Sequence, residues 1–252
     1  MFDFGDFTIT KREILVGIII LALMLTLGFV IHGAIDHSMM IKHQEYNTAL
    51  RIDGDAEMFS YAMQTNIGNA YVYGTWSAVD PVYYDEVDGN YSYIEKIKER
   101  YTRHTRTVTK TRTLPDGTTQ TYTEEEVYWT WDRVDSWSKH CSKINFVGSE
   151  FNYGVIERPG TTYITTIKES SHVRYKYYGA PWTCEATIYA DLRDGTVNSV
   201  DTYHYKNIEE THKIMTSKGG LVVFWILWSI FIIVLIGGFF VIDNYWLEDR
   251  RH

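Results

Sequence analysis

Two long apolar segments constrain this chain more than any other feature of its sequence. No ionisable side chain occurs between Ile14 and Ile31, and none occurs between Leu221 and Ile242. At a rise of about 1.5 Å per residue, helices of about 18–22 residues span roughly 27–33 Å, which is close to the hydrocarbon thickness of a bilayer. A helix of a soluble protein seldom stays apolar on all sides over this length. The sequence therefore predicts transmembrane helices at residues 14–35 and 220–242.

The first apolar segment has a second interpretation, a cleaved signal peptide, because Lys11 and Arg12 form a basic flank. Its apolar stretch is longer than that of ordinary signal peptides, and residues 31–36 contain no clean small-x-small cleavage site. A retained signal anchor is therefore the preferred interpretation. It makes the chain a two-pass integral membrane protein.

Basic residues near the chain ends predict the orientation. Lys11-Arg12 precede the first span and Arg250-Arg251 follow the second, so the positive-inside rule predicts that both termini are cytoplasmic. The long central segment is then extracytoplasmic or luminal. The predicted cytoplasmic tails are residues 1–13 and 243–252, and the predicted outer domain is residues 36–219.

The composition of the central segment favours β-sheet. The chain carries 32 acidic and 24 basic residues, a net charge of −8, which argues against a general nucleic-acid-binding protein. Thr, Tyr, Val, Ile and Trp are frequent between the two spans, and these residues suit the half-buried surface of a sheet. The expected fold is a membrane protein with two transmembrane α-helices that flank a mainly β (α+β) extracytoplasmic domain.

Two hairpins have clear turn signals. Residues 101–113 and 118–131 flank Leu114-Pro115-Asp116-Gly117, in which Pro presets the turn and Gly tolerates a left-handed backbone. A three-residue loop there would place Leu114 opposite Thr118 and Arg106 opposite Glu126. The second hairpin joins residues 182–192 and 197–205. Further strands are predicted at residues 70–79, 143–147, 162–167 and 172–178.

Short helices are expected beside both spans. Asn207 is a candidate N-cap, and Glu210 three residues later completes a capping-box pattern. The segment 37–64 could begin as a helical continuation of the first span. Within it, residues 53–57 (Asp-Gly-Asp-Ala-Glu) lack the later Glu of a calcium loop and are interpreted as a solvated turn.

The order of these elements resembles the LUMA (transmembrane-protein-43) family of endoplasmic-reticulum and nuclear-envelope proteins. The resemblance covers residues 69–146, with Ala70-Tyr71-Val72-Tyr73-Gly74 followed by Asp80, and more loosely residue 191 onward. In the long hairpin it includes Tyr101 and the aromatic residues Tyr128, Trp129 and Trp131. The family's Glu-Met-Tyr-Gln-Trp run is replaced by residues 100–104, and its further C-terminal spans are absent from this sequence. The resemblance implies a membrane-organising or scaffold role without catalysis.

The two cysteines leave two alternatives open. Cys141 and Cys184 enclose a loop of about 44 residues, for which closure by a disulfide would contribute about 4 kcal/mol, and an oxidising compartment favours pairing. Two unpaired core thiols are the alternative. His140 beside Cys141 is a weak indication of a nucleophile or metal site, because neighbours in a strand point to opposite faces.

Other candidate sites are surface features. Asn90-Tyr91-Ser92 matches the N-glycosylation sequon, which matters only in a eukaryotic lumen. Four aromatic residues could form a partner-binding platform, although core and cross-strand packing is the preferred interpretation. They are Tyr175, Tyr177, Tyr178 and Trp182. No motif indicates a catalytic site, a metal site or a cofactor.

The spans themselves indicate helix packing rather than transport. Gly17 and Gly28 in the first and Gly237-Gly238 in the second permit close helix contacts. No charge lies at mid-depth, which argues against a pump or secondary transporter. The leading hypothesis is a non-enzymatic membrane scaffold whose outer domain mediates self-assembly or partner binding, with the lipid bilayer, copies of itself or other membrane proteins as partners. The alternative is an oligomeric channel or membrane-permeabilising subunit, and a membrane-anchored hydrolase is a third hypothesis.

Overall fold

The computed structural model describes residues 2–3, 8–9, 11–115 and 117–249. Asp116 of the predicted turn and Arg250-Arg251 of the predicted tail lie outside these ranges. The chain divides into two compact units, one made of residues 1–49 and 209–252 and the other of residues 50–208. The first unit is mainly helical and the second is mainly β-sheet. The elements in chain order are β1 Phe2–Asp3, β2 Thr8–Ile9, α1 Lys11–Thr48, β3 Leu50–Asp53, α2 Ala56–Gln64, β4 Gly68–Ala78, β5 Val82–Tyr84, β6 Val87–Thr113, β7 Thr119–His140, β8 Lys143–Phe146, β9 Ser149–Asn152, β10 Thr162–Lys168, β11 Val173–Pro181, β12 Thr183–Arg193, β13 Thr196–His204, α3 Ile208–Met215 and α4 Gly219–Asp249.

Two helices of the first unit are long and apolar enough to cross a membrane. The first is α1, with 38 residues, and the apolar part of the second belongs to α4, with 31 residues. Both are longer than a minimal span of about 20 residues. Two apolar helices therefore flank a mainly β domain, which agrees with the predicted order of elements.

α1 and α4 pack against each other in antiparallel fashion. Trp228 lies beside Gly28, where an added Cβ would come 2.5 Å from the indole nitrogen, and that nitrogen donates to the Met24 carbonyl at 3.1 Å. Nearer the chain ends of the two helices, Phe240 lies beside Gly17. Gly17 and Gly28 thus have the contact role predicted for them. A Cβ at Gly237 or Gly238 would meet nothing within 4 Å in the described structure.

The helix pair also has polar contacts away from its apolar middle. The Trp225 indole donates to His32 Nδ1 at 3.2 Å, and Lys218 Nζ lies 3.3 Å from Asp36 Oδ1. Successive contacts move forward along α1 and backward along the later segment. This order means that the N-terminal end of α1 and the C-terminal end of α4 lie at the same end of the pair.

The larger sheet of the second unit is built around β4. Its order is β13-β12-β4-β8-β9, and the short strand β3 adds to β4 in parallel. β4 and β12 pair antiparallel over ten residues, from Gly68 opposite Leu192 to Ser77 opposite Thr183. The predicted hairpin of β12 and β13 is confirmed, with the turn closing where Arg193 faces Thr196.

The second sheet has the order β10-β11-β6-β5, and β7 adds to β6. β6 and β7 form the predicted long hairpin, with Arg106 opposite Glu126 and the Leu114 N–H donating to the Thr118 carbonyl at 2.8 Å. The predicted register is therefore confirmed. The strands are longer than predicted, because pairing continues back to Tyr93 opposite His140.

The core of the second unit is apolar and includes side chains from α2 and the larger sheet. Phe59 of α2 packs on Phe146 and Phe151, with ring centroids 6.1 and 6.3 Å apart. Trp76 of β4 is fully buried beside them in the same cluster. A set of residues on one side of β12 is buried in this core. That set is Cys184, Ala186, Ile188 and Ala190.

One local prediction is wrong. Residues 53–57 are not a simple solvated turn, because Asp55 caps α2 by accepting a hydrogen bond from the Met58 N–H at 2.9 Å. The helix that begins as the first span continues to Thr48, well beyond residue 35. The expected helical continuation is thus present, and it ends where β3 begins. The predicted helix after Asn207 is also present, as α3.

Candidate functional site

The β6–β7 hairpin continues beyond the sheet in which it starts. β11 pairs with β6 only as far as Arg100, whose partner is Val173. From Thr102 to Thr113, β6 pairs with β7 alone among the described strands. Twelve residues at about 3.4 Å each make a two-stranded ribbon of about 40 Å. We call residues 102–113 and 119–130 the ribbon.

Both long edges of the ribbon carry backbone groups that no neighbouring strand covers. The Tyr101 N–H donates away from β7, to the His172 carbonyl, whereas the Leu114 N–H donates toward β7. Strand alternation therefore directs the N–H and C=O groups of odd-numbered ribbon residues outward on both strands. In the part of the chain that the structure describes, no strand pairs with these edges. An exposed edge of this kind is a template for another strand.

The even-numbered residues of the ribbon form one side, which we call the charged face. Arg106 lies 2.7 Å from Glu126, and Lys110 lies 2.9 Å from Glu124. The hydrogen bond that Lys110 donates to Glu124 raises the pKa of Lys110 above its ordinary value. These ion pairs join the two strands to each other. The other members of the charged face are Thr102, His104, Val108, Arg112, Gln120, Tyr122, Tyr128 and Thr130.

The odd-numbered residues 105–113 of β6 and 119–127 of β7 form the opposite side, which we call the threonine face. Ten exposed side chains occupy it, and eight of them are threonines. Thr occurs at every second position over residues 105–113 and 119–123, a signal that the sequence analysis did not use. The face carries a single charge, that of Glu125. Its members are Thr105, Thr107, Thr109, Thr111, Thr113, Thr119, Thr121, Thr123, Glu125 and Val127.

Glu99 joins β6 to the first residues of β11, beside the start of the ribbon. Its carboxylate lies 2.6 Å from Arg174 Nε and 3.0 Å from Lys176 Nζ, and its side chain is 12% exposed. Burial raises the pKa of Glu99, but the hydrogen bonds from the two cations outweigh it and hold the pKa below its ordinary value. The Arg174 guanidinium also lies 4.1 Å from the ring centroid of Trp131. A bulge that leaves Val134 unpaired adds local twist at this junction.

The four aromatic residues predicted as a partner surface lie in different environments. Tyr177 is 1% exposed and shares one side of β11 with Tyr175, next to the Lys96 ammonium at 5.6 and 4.7 Å from the two ring centroids. Tyr178 lies on the opposite side of the strand, and Trp182 is 45% exposed just before β12. Because neighbours in a strand alternate between faces, the four do not form one continuous platform.

Cys141 and Cys184 are both buried and carry free thiols. Burial raises the pKa of each thiol to about 11. The His140 ring lies 2.8 Å from the Cys141 carbonyl oxygen and stacks on Tyr153 with centroids 4.3 Å apart, so it does not activate that thiol. Cys184 Sγ lies 3.5 Å from Nδ1 of another histidine, His204.

The Cys184–His204 contact does not make a reactive pair. Burial lowers the pKa of His204, which keeps its imidazole neutral. A neutral imidazole gives no charge stabilisation to a thiolate, and a thiol with a pKa near 11 is almost wholly protonated at neutral pH. Neither cysteine therefore has the environment of a catalytic nucleophile.

We expect both thiols to resist iodoacetamide in the folded chain at pH 8 and to react fully once guanidinium unfolds it. Thiolate is the reactive species, so a rise in pKa from 9.0 to about 11 lowers its fraction at this pH by about 100-fold, and burial adds to the protection. Mass spectrometry without reductant counts the labels. Two labels after unfolding indicate free thiols, whereas none would indicate the disulfide. Rapid labelling of the folded chain would contradict the buried environment.

Asn90 of the sequon lies exposed near the start of β6. Ser92 is fully buried and donates its hydroxyl hydrogen to the Pro181 carbonyl at 2.9 Å. The asparagine is thus accessible in the folded domain while the serine is part of its interior. Glycosylation of Asn90 stays a prediction.

Among the described residues, no group of three or more His, Cys, Asp and Glu side chains is arranged to hold a metal ion. A scan against protein-family models, a search of curated proteins and a search of solved structures each find no match. The resemblance to the LUMA family therefore stays a prediction.

Proposed function

We propose that this chain is a two-pass integral membrane protein without enzymatic activity, and that its β domain assembles with copies of itself or with a partner protein through the ribbon. The observation that carries the proposal is the pair of open edges on the ribbon. A two-stranded ribbon in water is only marginally stable, so a segment of this length is best explained by contacts with another chain.

Membrane anchorage is supported by the length and hydropathy of α1 and α4. The antiparallel packing of the two helices supports a topology in which both chain ends leave the membrane on the same side. The basic pairs near the chain ends favour the cytoplasmic side for them. The β domain would then be extracytoplasmic or luminal.

The absence of catalysis is supported by the chemistry of the candidate groups. The two thiols have raised pKa values. Glu124 and Glu126 are joined to Lys110 and Arg106, as expected for side chains that stabilise a hairpin. A scaffold role of this kind is also what the resemblance to the LUMA family implies.

A shortened ribbon tests the proposal. Removal of residues 103–112 and 120–129 deletes ten opposed pairs, keeps the turn, and preserves the alternation of faces because ten is even. We expect the full-length shortened chain to keep its β-sheet signal and lose assembly. The measurement is molar mass in mild detergent by light scattering, together with chemical cross-linking of the chain in its membrane.

The control is the double variant Lys143→Glu with Glu150→Lys. This exposed pair, 3.1 Å apart, joins β8 to β9 away from the ribbon, and its reversal should leave mass and cross-links unchanged. Identical mass and cross-links for the wild-type and shortened chains would contradict the proposal. Ionic current through reconstituted oligomers would instead favour the channel hypothesis.

A further inference from the structure

The two strands of the ribbon carry opposite charge. β6 from Tyr101 to Thr113 contains four basic residues and no acidic one, whereas β7 from Thr119 to Trp131 contains three acidic residues and no basic one. Each strand is also one of the two open edges. The ribbon therefore has a basic edge and an acidic edge. The charged residues are Arg103, Arg106, Lys110, Arg112, Glu124, Glu125 and Glu126.

We propose that the basic β6 edge of one copy pairs with the acidic β7 edge of the next copy, so that ribbons join edge to edge into a ring or row. This inference rests on the proposed function and specifies its partner as a second copy of the chain. The pairing is heterologous, because different surfaces of the two copies meet. Closure of such pairing gives a ring, and failure to close gives a row.

Backbone geometry allows this pairing without rearrangement of the ribbon. β6 directs the backbone groups of residues 103, 105, 107, 109, 111 and 113 outward, and β7 does so at the odd residues 119–129. Copies whose turns point the same way bring β6 beside the neighbouring β7 in antiparallel orientation. This is the same orientation that joins β6 to β7 within each ribbon.

The charges favour this pairing over the pairing of two β6 edges or of two β7 edges. Two β6 edges would bring four basic residues of each copy together, and two β7 edges would bring acidic residues together. Like charges that are directly opposite destabilise a strand pair. Charged side chains on an exposed edge ordinarily prevent aggregation. Here each edge carries charges of one sign, so it repels the same edge of another copy and still pairs with the edge of opposite charge.

In the paired state Glu124 and Glu126 each gain a second cation. Glu124 and Glu126 contact Lys110 and Arg106 of their own ribbon, and a neighbouring β6 would bring a further row of Arg and Lys to the other side of β7. Alternating rows of opposite charge would then continue through the assembly. The threonine faces of successive ribbons would form one uncharged layer apart from Glu125.

Reversal of all seven charges gives a direct test. The reversed chain carries Arg103→Glu, Arg106→Glu, Lys110→Glu, Arg112→Glu, Glu124→Lys, Glu125→Lys and Glu126→Arg. Its own cross-strand pairs are kept with their signs exchanged. Wild-type and reversed full-length chains are each prepared with either of two affinity tags, and differently tagged chains are co-expressed in pairs, extracted in mild detergent and captured through one tag.

We expect each chain to capture itself, and wild type to capture the reversed chain at least about tenfold less, since like charges now face each other at both edges. Preferential capture of the reversed chain by wild type would indicate symmetric edge pairing and overturn the proposal. Equal capture would also overturn it, while loss of assembly on ribbon shortening would still support the proposed function. The chain with Lys143→Glu and Glu150→Lys is the matched control and should mix freely with wild type.

Salt provides a second measurement that needs no variant. Exposed charges are screened over about 10 Å at 0.1 M salt and about 3 Å at 1 M, so the molar mass of the wild-type assembly should fall across this range. A mass that is unchanged over the same range would overturn edge pairing by charge, even if the reversed chain failed to fold.

Discussion

Replacement of Trp76 by alanine is expected to lower the free energy of unfolding of the β domain by about 3–5 kcal/mol. Trp76 is fully buried near the C-terminal end of β4, between Cys184 of β12 and Phe146 of β8. The missing indole would leave a cavity that rigid neighbouring strands cannot fill. Denaturant unfolding of the full-length chain in detergent, followed by near-ultraviolet circular dichroism, measures the loss.

Trp76→Phe is the matched control for this cavity. The Trp76 Nε1 is buried without a hydrogen-bond partner in the described structure, so phenylalanine removes an uncompensated polar group while it keeps an aromatic ring in place. We expect a loss of less than about 1.5 kcal/mol. Equal losses for the alanine and phenylalanine variants would show that packing at this position does not determine the stability of the domain.

Gly28→Leu is expected to separate the two apolar helices. A Cβ at this position would lie 2.5 Å from the Trp228 indole nitrogen, which is held by its hydrogen bond to Met24. The indole cannot move without losing that bond, so the helices must part, at a cost of about 1–3 kcal/mol. Carbodiimide joins Asp36 to Lys218, whose charged atoms are 3.3 Å apart, and peptide mass spectrometry measures the yield of this cross-link.

Gly33→Leu provides the comparison, because a Cβ there meets nothing within 4 Å. The Asp36–Lys218 cross-link should form at its wild-type yield in that variant and fall severalfold in Gly28→Leu. If the yield stayed unchanged in both variants, the close approach at Gly28 would not be what holds α1 to α4.

Local signals in the sequence were sufficient for the turns and the register of the long hairpin. Pro115 and Gly117 specify a short loop, and loop length determines which residues face each other. The opposition of Arg106 to Glu126 follows directly from it. The extent of β6 and β7 was less predictable, because their charged and polar residues on both faces resemble a loop when neighbouring strands are unknown.

Several features of the fold were not predicted from local signals in the sequence. The bulge at Val134 changes which β7 residues share a face, and no turn residue marks it. Asp55 was assigned to a turn because residues 53–57 are polar, whereas it caps α2. Tyr177 and Tyr178 lie on opposite sides of β11, as the alternation of neighbours in a strand requires. The threonine face could have been found by following alternate residues from Thr105.

The antiparallel helix pair has a consequence for synthesis of the chain. 170 residues separate the end of α1 at Thr48 from the start of α4 at Gly219, and ribosomes add about 5–20 residues per second. Synthesis of α4 therefore begins about 9–34 s after α1 is complete. During that interval the surface around Gly28 is without Trp228. The β domain, which is complete before α4 emerges, has time to fold while the chain is held by a single helix.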